Sequence, residues 1–472
     1  NVSIKMDLKH YFANDRHSCF DELVGREIDS IQEQDAMNIT RTEQNLDGST
    51  LLQNINSLSD IPEDVRNFWL PDSSESVMPP LLTMPGVQTA NDQMKDSIEE
   101  VVLAHLGSDE MRQRKILRAD DVTQDERGLR QLISAGCFRS AISLTSRLLT
   151  IYGQGFGRVG QPSKHSPHSL QLWFTRLALL FKIGQYELLQ LETEAFDNLS
   201  RRDVYYDFYP SMYSDKKGCM ASFGLRLLLA VVPMYNNKPK EALDTLSEIA
   251  GVCNEIKNYY KQQNFLYCEF WRKREIKVLS IIINCAVEIQ DYGLIDDVLS
   301  KILSQSDTIR EEKRSLLAAC GRIYLFAGDV FGAEFMFAEA RRLKDKLSAN
   351  DSADSIDKGL IAVAQNDFLE AYSTFQKALM LDPSNIMLLN NMGVCQLYSG
   401  KLKNAICWFE KSIDIDPSKA LNEHLLLNLA TLYELQSSTS RDKKLNLLRQ
   451  LNRFKPDLSA SLDFCLKLQS SI

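Results

Sequence analysis

The chain has 472 residues, 44% hydrophobic and 25% charged, the balance of a folded soluble protein. Its formal net charge of −9 argues against a general nucleic-acid binder and against a protein held to anionic membranes by charge. No stretch reaches the ~18 apolar residues that cross a bilayer, no basic segment followed by an apolar run marks a signal peptide, and the length suits two or three domains or one long repeat array.

From the start of the chain, residues 1–105 read as an extended, partly helical segment. "CFDELVGREIDSIQEQ" (19–34) is a possible helix and the polar stretch 40–60 a linker. Residues 60–88 hold five prolines and no periodicity. Within them Phe68, Trp69 and Leu70 stand beside Pro71, followed by Leu81 and Leu82. Such an apolar string has no helix to hide in. The plainer reading docks it on the chain's own first repeats, since an extended Pro-rich strand has little entropy left to lose. The other reading makes Phe68, Trp69 and Leu70 partner-binding residues.

Residues 106–310 read as divergent helical repeats with long insertions. "LRQLISAGCFRSAISLTSRLL" (129–149) has Gly136 and Ala141 at the turn and second helix. "LWFTRLALLFKIGQYELLQLETEAF" (172–196) has Trp173, Gly184 and Tyr186, and 225–250 has a polar turn at Asn236–Asn237 with Ala242 and Leu246 beyond it. Residues 276–303 keep only a turn and apolar periodicity. A Gly/Pro/Ser/His loop (152–169) and a Tyr-rich insertion (201–218) separate these units and are expected to project from one face.

Residues 311–472 are more regular. Gly321, Ala333 and Phe337 recur as Gly359, Ala371 and Phe375, and again, 34 residues later, as Gly393, Ala405 and Phe409. The reason is steric: two antiparallel helices approach closely only where small residues face each other, and a large ring fills the space beside them. Asp382-Pro383 and Asp416-Pro417 can cap and start the following helices. A further unit spans 424–456. The turn markers fall at 136, 184, 237, 290, 328, 366 and 400. This period and residue set resemble the tetratricopeptide repeat, which implies an all-α, right-handed α-solenoid of about eight helix–turn–helix units.

Signatures of chemistry are missing. There is no Gly-rich dinucleotide motif, Walker A, zinc-protease or nucleophile-elbow pattern. "YGQGFGRVG" (152–160) lacks the strand before it and the Lys-Ser/Thr after it that a phosphate loop needs. His165 and His168 share a loop without a third metal ligand. The ten cysteines include no C-x-x-C and read as reduced structural residues of a cytosolic protein. No cofactor, metal or catalytic residue is expected.

The Pro/aromatic string, the weak then strong repeats, "NNMGVCQLYSGKLKNAICWFEKSIDIDP" and "LNLATLYELQSSTS" together resemble the subunit 12 family of the trafficking protein particle (TRAPP) complex, over about residues 60–472. The resemblance implies a non-catalytic scaffold subunit of TRAPP III, a vesicle tether and guanine-nucleotide exchange factor for a Rab GTPase in ER-to-Golgi transport and autophagy. It implies contacts with large subunits 11, 8 and 13, indirect association with the Rab GTPase and with membranes, and no nucleic-acid partner. It implies a cytoplasmic location at ER–Golgi intermediate and Golgi membranes, with a nuclear pool in mitosis. The alternative is a co-chaperone whose groove clamps acidic C-terminal peptides. Arg322, Lys358, Asn391 and Asn428 lie near groove positions for that role, though not at one consistent offset.

Overall fold

The computed structural model describes residues 61–69, 82–89, 94, 96–304, 310–343, 352–436, 439–458 and 462–468. The expected helix at 19–34, the linker 40–60, Leu70, Pro71 and Leu81 lie outside the described residues. Among the described residues regular structure is helical, apart from one isolated bridge between Tyr205 and Cys219. Helices of eight residues or more are α1 (Ser97–His105), α2 (Glu126–Ser134), α3 (Phe138–Ile151), α4 (Pro167–Lys182), α5 (Tyr186–Thr193), α6 (Phe223–Tyr235), α7 (Pro239–Tyr260) and α8 (Phe265–Ile289). They continue as α9 (Tyr292–Leu303), α10 (Arg310–Ala327), α11 (Val330–Arg342), α12 (Ser352–Ala364), α13 (Phe368–Leu381), α14 (Ile386–Tyr398), α15 (Leu402–Ile415), α16 (Glu423–Gln436) and α17 (Ser440–Phe454).

The chain packs as two compact units. One comprises Leu117–Asp291 with the described part of Ser18–Lys95, the other Tyr292–Ile472 with Asp96–Ile116. Packing thus groups α1 with the last repeats, whereas the three segments 1–105, 106–310 and 311–472 follow repeat regularity.

In the 292–472 unit, α10–α11, α12–α13 and α14–α15 are antiparallel hairpins, and the last two pack in sequence on one another. Each hairpin turns at a residue in the left-handed region, Gly328 (φ 87°), Asn366 (φ 61°) and Gly400 (φ 76°), where glycine and asparagine pay least for positive φ. Asp329 and Asp367 accept the amides of Gly332 and Glu370, at 2.9 and 3.0 Å, and so start α11 and α13. The two Asp-Pro steps differ. Asp416 caps the short helix Pro417–Ala420 as expected. Asp382 does not cap α14: that role falls to Asn385, and the Asp382 carboxylate instead accepts the Asn385 side-chain amide at 3.0 Å. Two residues after Pro383 intervene, so Asp382 is too far back to reach the first free amides of α14.

The far end of this unit is sealed by α1. Its Ile98, Val101 and Val102 join the buried cluster of Leu426, Leu447, Leu448, Leu451 and Leu466. The Arg114 guanidinium donates to Asp96 (2.8 Å) and to the carbonyls of Asn452, Lys455 and Pro456 (3.3, 3.1 and 2.7 Å). A repeat array ends in an apolar face and unpaired helix-end carbonyls, and these contacts satisfy both.

In the 117–291 unit the turns also sit at left-handed residues, Gly136, Gly184 and Asn237, with Gln290 ending α8. Its core holds Trp173, Phe196 and Trp271, all fully buried. The Tyr-rich insertion does not project as expected. Val204, Tyr205, Tyr206 and Tyr209 are buried, because Asp203 and the Tyr205–Cys219 bridge draw the segment inward.

Candidate interaction surfaces

The repeat residues come together in pairs. A methyl group built on Gly321 would stand 2.6 Å from Cε1 of Phe337, and one on Gly393 would stand 2.9 Å from Cε1 of Phe409. Gly359 and Phe375 are in the same relation. Ala333, Ala371 and Ala405 are completely buried, and the three rings expose 1% or less. These nine residues therefore form the seams of the hairpins, and the six side chains among them are buried away from any partner. Each buried ring contributes roughly 1.5–3 kcal/mol through removal from water.

Phe68 and Trp69, for which docking on the chain's own repeats and partner binding were the two readings, pack on their own unit. Phe68 stacks on Tyr259 with centroids 6.2 Å apart and meets Tyr260 edge-on. Trp69 lies 6.3 Å from Phe223 and 6.4 Å from Trp271, and the Arg226 guanidinium covers its ring at 4.1 Å. The Arg66 carbonyl accepts from Arg274 at 2.9 Å, and the Asn67 carbonyl from the Cys219 amide at 2.9 Å. The string has found cationic and aromatic faces that satisfy both its rings and its backbone.

Residues 82–89, "LTMPGVQT", run through the same unit without regular structure, with Met84 in the left-handed region (φ 45°), and join a buried polar network there. Thr83 donates to Asp203 Oδ2 from its amide at 2.9 Å and its hydroxyl at 2.7 Å. His165 Nε2 lies 2.5 Å from the same hydroxyl. The tautomer follows from the neighbours. Gln154 Oε1 accepts from the Trp173 indole at 2.8 Å, so its amino group faces His165 Nδ1 at 3.4 Å, which leaves the imidazole proton on Nε2. Burial holds the His165 pKa below its usual 6.5, against the opposing pull of Asp203. His165 is thus a neutral structural histidine. His168 sits apart in the first turn of α4, 2.5 Å from Glu126. Among the described residues no group of three His, Cys, Asp or Glu could hold a metal.

Further along, the Gln88 amide donates to Glu192 at 3.1 Å and the Thr89 hydroxyl accepts from Arg176 at 3.0 Å. Arg176 and Glu192 form a two-pronged pair at 2.7 and 2.8 Å with both side chains fully buried. Arg176 also donates to the Ile142 carbonyl and the Ser146 hydroxyl. An arginine inside the apolar run "LWFTRLALLF" was the available sign of this pair. The "YGQGFGRVG" loop forms a wall of this network through Gln154 and Gly160.

Groove positions of the other unit are disposed against an acidic ligand. Arg322 pairs with Asp357 at 3.1 Å and Arg314 with Asp354 at 3.7 Å. Asp357 is buried, and burial raises its pKa although Arg322 counteracts it. Lys358 is exposed, Asn391 buried and Asn428 half-buried, so the four side chains are not equally open to a ligand. Seven of the described cysteines are buried, while Cys268 is half-buried and Cys407 exposed; burial pushes the thiols of Cys253, Cys285, Cys320, Cys395 and Cys465 up to about 12, so they stay protonated.

The tetratricopeptide-repeat family profile matches residues 356–385 and 388–419, the hairpins built on the Gly359–Phe375 and Gly393–Phe409 seams. Trafficking protein particle complex subunit 12 of Mus musculus is 36% identical over 403 residues, 82% of this chain and 50% of that protein. The Homo sapiens protein of the same name is 36% identical over 383 residues, 78% of this chain and 52% of that protein. The chain spans about half the length of these relatives. Among solved structures, the APC/C hetero-tetramer Cut9–Hcn1 covers 72% of this chain and 54% of its own at 13% identity and a TM-score of 0.31, a likeness that carries no argument. With identity over about four fifths of its length, the chain is a tetratricopeptide-repeat relative of trafficking protein particle complex subunit 12.

Proposed function

We propose that the chain is a non-catalytic scaffold subunit of the trafficking protein particle complex, in its TRAPP III form, acting in ER-to-Golgi transport and autophagy. The observation that carries this reading is the 36% identity, over 403 residues, to a relative named as a subunit of that complex. Repeat architecture supports it, since stacked hairpins yield long faces and edges for assembly. Residues 311–472 are the regular platform in this reading, and 106–310 the divergent part. The large subunits 11, 8 and 13 are the neighbours, and contact with a Rab GTPase and with membranes runs through them. Among the described residues no helix is long and apolar enough to cross a membrane. The test is crosslinking mass spectrometry on affinity-purified tagged chain. We expect crosslinks to subunits 11, 8 or 13 and stoichiometric co-purification with them. Recovery of the chain without any subunit of the complex would overturn the reading.

A further inference from the structure

The segment Leu82–Thr89 lies in the 117–291 unit as a bound peptide lies in a receptor. We infer that the groove formed by the 152–165 loop, Asp203 and the Arg176–Glu192 pair is a peptide-binding site, filled in cis by residues 82–89. Its ligand class is a non-helical peptide with a threonine, a left-handed residue after it, a glycine three residues on from the threonine, and a small apolar residue next.

Each requirement comes from a contact. The hydroxyl at the first position is held between Asp203 and His165, and the backbone amide of the same residue also reaches Asp203. All three residues are buried, exposing 2% or less, so only a hydroxyl of this size satisfies both partners. Asp203 Oδ1 has no hydrogen-bond partner, which leaves this carboxylate dependent on the threonine for its pairing. At Gly86 a Cβ would stand 2.7 Å from the Arg158 carbonyl carbon and 2.9 Å from the Val159 Cα, so any side chain is refused by backbone. Val87 is fully buried, and its amide donates to the Gln154 carbonyl at 3.2 Å. The Met84 carbonyl accepts from the Gly160 amide at 3.1 Å. Backbone bonds at Thr83, Met84, Val87 and Gln88 supply affinity while side-chain pockets supply selectivity, the division of labour of peptide receptors. The partners are 82 to 120 residues away in sequence at the threonine, so the segment, bent at Met84, is held by contacts from outside itself.

The test uses the full-length chain carrying Gly86→Arg, which expels its own segment, and a fluorescein-labelled peptide with the sequence of residues 82–89. Fluorescence anisotropy should show saturable binding to this variant. Wild-type chain should bind at least ~10-fold more weakly, because its tethered segment competes at an effective concentration on the order of millimolar. A peptide whose first threonine is replaced by valine should lose at least ~10-fold in affinity. Equal binding to both chains, no binding to the variant, or indifference to that replacement would each overturn the inference. Should Gly86→Arg lose helical circular dichroism, the full chain with Thr83→Val decides. Amide exchange at Val87 and Gln88 should then quicken by at least ~10-fold while α14 and α15 hold. Unchanged exchange at those two amides would overturn the inference as well.

Discussion

The two units divide the work differently between apolar seams inside their hairpins and buried polar groups that tie in a distant segment. In the 292–472 unit each hairpin closes on an apolar seam between residues sixteen apart, Gly321 with Phe337, Gly359 with Phe375 and Gly393 with Phe409. In the 117–291 unit the hairpins are held together by buried polar groups and by a distant segment, with Thr83 reaching Asp203 over 120 residues. Apolar seams of fixed spacing are local and tolerant. Buried polar networks are strong while complete and costly once broken. Substitutions should therefore separate the two units.

The largest effect is expected from Glu192→Ala, which leaves the Arg176 guanidinium buried without its counter-ion. Loss of about 3–5 kcal/mol is expected, read as an early unfolding transition in urea. Trp69→Ala follows. It removes a half-buried ring between Phe223, Trp271 and Arg226, and should cost roughly 2–3 kcal/mol, below the range of fully buried aromatics. Loss of complex assembly at unchanged melting would restore a partner role to this tryptophan. Gly359→Ala comes next, at roughly 1–2 kcal/mol, because the added methyl presses on a ring with no free space around it. Its effect should stay within the 292–472 unit.

The smallest effect is a pH dependence confined to the 117–291 unit. His165 faces Thr83, Asp203, Gln154, Tyr209 and the Phe196 ring. Its pKa in the folded state lies below the 6.5 of the exposed side chain. The unfolded chain therefore takes up the proton first. Stability is complete above pH 6.5, falls as pH drops through that value, and levels off below the folded pKa. Thermal melts between pH 7.5 and 5.5 should show this fall, and a His165→Gln variant should flatten it.

This contrast also explains what could be read from the amino-acid sequence. All seven turn markers, Gly136, Gly184, Asn237, Gln290, Gly328, Asn366 and Gly400, have positive φ. Only a few residue types tolerate that conformation, so the turns announce themselves. The glycine, alanine and phenylalanine positions of the last repeats were legible for a similar reason: a constant spacing repeats one steric demand. The remainder depends on partners far apart in the chain. Nothing near Arg114 signals that it will receive carbonyls from residues 452–456, and nothing in "LTMPGVQT" names Asp203 or Gln154 as its receivers. The Tyr-rich insertion was expected to project because it separates two repeat units. Tyr205, Tyr206 and Tyr209 are instead buried, with Tyr209 accepting from the His165 amide at 3.2 Å, while Phe208 stays exposed.

Hydrogen–deuterium exchange on the full chain, wild type against Glu192→Ala, tests the division most directly. Faster exchange is predicted across residues 82–89 and 126–199, with α12 through α15 unchanged. An equal rise along α12–α15 would contradict the account, because it would mean that the regular repeats do not stand on their own seams.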